Sequence, residues 1–126
     1  MQLFNAHIPV ASVFLICVLL HVIADFNLQG ILANFKQKKW WKDNYPQKLY
    51  KSDWIISLAL HSLSWSTLTF LPFCTDRRFF SAVIAQAIIH FVIDHLKANK
   101  LCISLVQDQL MHLGQIGGTV VWFYCQ

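Results

Sequence analysis

The chain has 126 residues, 56% hydrophobic and only 13% charged, where an ordinary soluble domain has about 25% charged. The net charge is +4, and all six acidic residues are Asp. Glu is used freely on wet helical surfaces, so this composition excludes a mostly water-facing helical protein. It fits one integral membrane domain over residues 1–126. Nucleic acid is excluded as partner, because the lysines gather in one loop between apolar runs.

The first apolar run, 8–28, is long enough to span at about 30 Å. No Lys or Arg precedes it, so it reads as a retained helix and not a cleaved leader. It carries His21 and Asp25, four apart and therefore on one helical face. Residues 34–53 then hold Lys36, Lys38, Lys39, Lys42, Lys48 and Lys51, interleaved with Trp40, Trp41, Tyr45 and Tyr50 and followed by Trp54. Pro46 rules out one long helix there. Lysines among interfacial aromatics predict a loop lying on anionic lipid headgroups.

The second predicted span is 54–71, ended by Pro72, with Ser57, His61 and Ser64 on one face. The third is 79–96. Its Gln86, His90 and Asp94 form a polar stripe that continues to Lys97. The fourth, 101–124, is the most polar and carries Asp108 and His112. Its Gly114 and Gly118 allow close helix approach, and Trp122, Phe123 and Tyr124 make an interfacial belt. The first and third connections hold eight of the ten basic residues. The positive-inside bias then places both termini on the non-cytoplasmic side. The expected fold is all-α, a four-helix transmembrane bundle.

On these boundaries His21, His61, His90, Asp94 and Asp108 share a layer roughly 5–15 Å below the cytoplasmic ends. His112 lies about a turn deeper. A charged group at mid-span costs about 2.5–3.5 kcal/mol, so these groups should face inward and pair. Two readings compete. In one, Asp–His and Asp–Lys pairs only pin the helices together. In the other, His21, Asp25, His61, His90, Asp94, Asp108 and His112 ligate a divalent metal such as zinc, manganese or iron, with Asp carboxylates as ligands or as groups orienting the imidazoles. Haem ranks third, because three carboxylates suit its pocket badly. His7 and His95 fall outside the stripes. Cys17, Cys74, Cys102 and Cys125 show no metal-ligand spacing. Cys17 should be buried. Cys74 and Cys125 fall at one end and allow a disulfide, with two free thiols the favoured reading.

The ordered pattern His21-xxx-Asp25-Phe26-xx-Gln29, His61, His90-xxx-Asp94-xx-Lys97 and Asp108-Gln109-xx-His112 resembles a bacterial and phage membrane family called domain of unknown function 3307. The resemblance runs from about residue 15 to 115 and implies a small four-helix inner-membrane protein without a known activity. A looser likeness, to membrane proteins described as metal-dependent hydrolases, is analogy only.

The leading expectation is a membrane-embedded metal site, hydrolytic toward a lipid or a small phosphorylated compound. Asp94, Asp108 and Lys97 would act in catalysis, and Lys97 and Gln29 would bind an anionic group or orient an Asp. The alternative is a non-enzymatic membrane subunit, docking on a membrane protein or a second copy of itself, whose cluster only sets packing. Ion or proton translocation is weaker, because the outer half of the spans has almost no ionisable groups.

Overall fold

The computed structural model of the chain describes residues 8–125; His7 lies outside them. Among the described residues the structure is all-helical, with six α-helices and no strand. Helix α1, Val10–Val22, runs on into a π-helical segment, Ile23–Asn27. Gly30, at φ 47°, turns the chain, a conformation open to glycine at no steric cost. Two short helices follow, α2 at Leu32–Phe35 and α3 at Lys38–Asn44. The long helices α4, Asp53–Thr69, α5, Phe79–Ala98, and α6, Leu105–Tyr124, complete the chain. Helix α1 packs on α4 and α6, and α5 packs on the same two, so the four long helices form a closed ring. The Tyr124 hydroxyl donates to the Ile8 carbonyl at 3.2 Å, which brings the two described ends to one end of the ring.

Two segments, Val10–Asn27 and Phe79–Ala98, are long and apolar enough to cross a membrane. Four were expected, so this is a correction. Helix α4 is 17 residues long, about 25 Å, because Phe70 and the 3-10 turn at Leu71–Phe73 around Pro72 end it. Helix α6 is long enough but carries Gln107, Asp108, Gln109, His112 and Gln115. It also starts later than expected. Ser104 and Gln107 form a capping box, in which the Ser104 hydroxyl accepts from the Gln107 N–H at 3.2 Å and the Gln107 side chain accepts from the Ser104 N–H at 2.8 Å. These two bonds satisfy donors that a helix start leaves open, so the helix begins at Leu105 and Leu101 stands outside it with φ 55°. The shift is about one turn. It makes His112 the eighth residue of α6, while His61 is the ninth of α4.

The interior is unusually polar. On α4, Ser57, His61, Ser62, Ser66 and Thr69 are buried, while Ile56, Leu60 and Leu63 on the same helix are exposed. Burying polar groups and exposing large apolar ones inverts the usual arrangement. An apolar core does exist, built from Val13, Cys17, Trp65, Phe70, Val83 and Ile116 among others. Cys17 is buried and all four cysteines are free, with Cys74 and Cys125 exposed.

Candidate metal centre

Four helices deliver the polar groups to one place. The π segment carries Asp25, α4 carries His61, α5 carries His90 and Asp94, and α6 carries Asp108 and His112, and all six are buried. The His61 Nε2 atom stands at the focus. It lies 3.3 Å from His90 Nε2, 3.3 Å from Asp94 Oδ2 and 3.4 Å from Asp25 Oδ1. His90 Nε2 is 3.6 Å from Asp94 Oδ1. A tetrahedral ion bound at 2.0–2.1 Å keeps its ligand atoms about 3.3 Å apart, which the three separations from His61 Nε2 match. Two groups bring one ligand atom per residue within 4.8 Å of each other: Asp25, His61, His90 and Asp94, and Asp25, Asp108 and His112.

The tautomer of His112 follows from its neighbours. The Gln115 amide nitrogen donates to the Gln86 backbone carbonyl at 3.1 Å and to its side-chain oxygen at 2.9 Å. The Gln115 amide oxygen therefore faces His112 Nδ1, at 3.1 Å, so Nδ1 carries the proton. His112 Nε2 then points at Asp94 Oδ1 and Asp108 Oδ1, each 3.3 Å away. Yet His112 Nε2, Asp108 Oδ1 and His90 Nδ1 are buried without a hydrogen-bond partner. A lone pair between two carboxylate oxygens is unfavourable unless a proton or a cation sits with them.

His21, expected among the ligands, has both ring nitrogens engaged elsewhere. The Trp65 indole N–H donates to Nδ1 at 2.8 Å, and Nε2 pairs with the Gln109 side-chain oxygen at 3.0 Å. The Gln109 amide nitrogen donates in turn to Asp25 Oδ2 at 3.1 Å and Asp108 Oδ2 at 3.0 Å. A chain from Trp65 through His21 and Gln109 thus aims two carboxylates. The rings are also fixed by stacking: Trp65 on His90 at 4.0 Å and His90 on His112 at 4.2 Å between centroids.

Two lysines reach the cluster. Lys97 lies 2.5 Å from Asp108 Oδ2. Lys36, which the loop reading placed on a headgroup surface, is buried and lies 2.7 Å from Asp94 Oδ2. The Gln29 amide, turned so that its nitrogen donates to the Asp25 backbone carbonyl at 3.2 Å, accepts from the same Lys36 ammonium. Gln29 therefore holds the backbone of Asp25, not its carboxylate. His95 stacks on Trp54 at 5.3 Å, away from the cluster. Residues whose role went unread are Lys36, Trp65, Gln109 and Gln115. The signal for Trp65 and Gln115 was available, since each lies three or four residues from a cluster histidine on its own helix. Lys36 had no such signal.

The arrangement is a closed, buried set of imidazoles and carboxylates, close enough to hold a metal ion and braced by a second layer of amides, an indole and two ammonium groups. No curated protein and no solved structure matches the chain. With the ordered histidines and carboxylates in place on four helices, the match over residues 13–123 says what the chain is part of: it belongs to the family described as Protein of unknown function (DUF3307).

Proposed function

We propose that this is an integral membrane protein whose His/Asp cluster holds one divalent metal ion, with Asp25, His61, His90 and Asp94 as the ligands. The carrying observation is the position of His61 Nε2, 3.3–3.4 Å from donor atoms on two other helical elements. Asp108 and His112 provide a second carboxylate–imidazole pair beside the first set. His21 and Gln109 are positioning residues, which hold Asp25 and Asp108 in direction. The inverted burial supports membrane residence, because lipid, unlike water, suits the exposed Ile56, Leu60 and Leu63. The lysine-bearing end, where the cluster lies, would then face the cytoplasm.

A divalent ion so held supplies Lewis acidity and a water acidified to near neutrality, which is the chemistry of metal-dependent hydrolysis. Asp108, with one oxygen on Lys97 and the other facing His112 Nε2 at 3.3 Å without a hydrogen bond, is placed to hold a proton. Lys97, about one-third exposed, is placed to meet an anionic substrate group.

A second reading has its own support. Asp94 and Asp108 already have ammonium partners in Lys36 and Lys97. In that reading the cluster pins four helices of a non-enzymatic membrane subunit and binds no ion. Elemental analysis by mass spectrometry separates the two. The full chain, purified in neutral detergent after exposure to zinc, manganese or iron, should carry about one ion per chain. A His90→Ala, Asp94→Ala double variant that keeps its helical circular dichroism should carry almost none. A metal-free wild type, or a variant that keeps its metal, overturns the proposal.

A further inference from the structure

The connection between α1 and α4 is not spent on the cluster. It folds around a cavity of about 690 Å³, within the size range of small-molecule sites. Lys38, Lys39, Lys42, Lys48 and Lys51 line it, and among the described residues Asp43 is the one carboxylate in its wall. Among the described residues none of the five lysines is in an ion pair. The positive charge around the cavity is therefore left for something else to neutralise.

The rest of the wall is aromatic and apolar. Trp41, Tyr45 and Tyr50 pack together at centroid distances of 5.4–6.2 Å and all three face the cavity. The Trp41 indole N–H donates to the Phe35 carbonyl at 2.6 Å, which fixes the ring. Leu101, 81% exposed, is also in the wall. The cavity also has a rigid link to the cluster. The Asn99 side chain accepts from the Lys38 N–H at 2.6 Å and donates to the Lys36 carbonyl at 3.0 Å. Lys36 thus runs inward to Asp94 while Lys38, two residues on, faces the cavity.

We propose that this cavity binds the phosphate monoester group of an anionic ligand, with the lysine ammoniums on the phosphate and the Trp41, Tyr45 and Tyr50 wall against its organic part. Five lysine ammoniums, each a compact point charge with three donors, suit a small, multiply charged anion such as a phosphate monoester. The ligand is the headgroup of a phosphorylated lipid or a soluble phosphorylated compound. The site stands whether or not the cluster holds an ion.

The test is titration calorimetry of the full chain in neutral detergent at physiological salt. The probes are glycerol 3-phosphate, dihexanoyl phosphatidic acid and dihexanoyl phosphatidylcholine. Saturable binding of the first two but not the third supports the proposal with a soluble source sufficient. Binding of phosphatidic acid alone supports it with a lipid source. In either case Lys42→Ala, Lys48→Ala should weaken binding by about tenfold or more, the worth of a charge-assisted hydrogen bond. Lys100→Ala, an exposed lysine outside the wall, should leave it unchanged. Both sets of substitutions are at exposed positions, so the fold should survive, as helical circular dichroism will report. The proposal is overturned if neither phosphate binds, if phosphatidylcholine binds equally, if the double variant binds as tightly as wild type, or if Lys100→Ala is as harmful.

Discussion

The two ends of the helical ring solve the same problem differently. At the lysine-bearing end the helices are tied by charge: Asp94 alone faces Lys36, His61, His90 and His112. At the opposite end, among the described residues, they are tied by ring faces and by Arg78, which donates to the Phe123 carbonyl at 3.1 Å. Phe73 stacks on Phe123 at 4.1 Å and 5°, and Arg78 lies over Trp122 and Phe123 at about 5 Å while binding Asp76. Between them lies a band of hydroxyls, in which the Ser66 hydroxyl donates to the Val83 carbonyl at 2.8 Å and the Thr119 hydroxyl to the Gln115 carbonyl at 2.8 Å. The lesson is about fragility. A buried charged network fails together when one member leaves, whereas stacked rings fail one at a time.

The largest effect should come from Asp94→Ala. It leaves the buried Lys36 ammonium without its carboxylate and removes the oxygens that His61, His90 and His112 face. Breaking a buried pair from one side typically costs about 3–5 kcal/mol, read as a fall in the detergent unfolding midpoint. If Asp94→Ala were no worse than Phe73→Leu at the far end, the contrast between the ends would collapse. Next is Trp65→Phe, which keeps most of the ring but removes the donor to His21 Nδ1. A buried acceptor left unsatisfied costs about 1–3 kcal/mol. The chain through Gln109 to Asp25 and Asp108 should loosen with it, seen as altered His21 ring resonances.

The smallest effect belongs to the far end. The Arg78 guanidinium, hydrogen-bonded to Asp76, holds that carboxyl down at about 2, against the opposing effect of burial. Because its folded value is depressed, Asp76 contributes stability above its ordinary value near 4 and loses it as pH falls through about 2. The pair is only half-buried and well screened by solvent, so global stability should barely move between pH 4 and 2. A carbon-detected titration of the Asp76 carboxyl should nevertheless show the low midpoint, rising toward the ordinary range in Arg78→Ala. A midpoint unchanged by that substitution would remove Arg78 as the cause.

Much of this contrast was legible in the sequence, for a physical reason. Polar residues at i, i+4 on apolar helices have few places to go, so His61, His90, Asp94 and Asp108 announce an interior and a common depth. The helix ends were less legible. Local chemistry at Ser104 and Gln107 set the start of α6, and the turn at Pro72 shortened α4. The role of His21 was hidden because only the fold brings Trp65, 44 residues away, onto its Nδ1. Lys36 was hidden because a lysine in a lysine-rich stretch carries no mark of burial. Only the reversal at Gly30 and the Asn99 clamp turn it inward.

A core in which polar side chains are about as numerous as apolar ones also has a thermal signature. Opening apolar surface to water raises heat capacity, while opening polar surface lowers it. Here Ser57, Ser62, Ser66, Thr69 and Thr119 are buried beside the charged cluster, so the two contributions work against each other when the helices separate. Where unfolding opens this interior to water, stability should therefore vary less with temperature than that of a protein held by an oily centre.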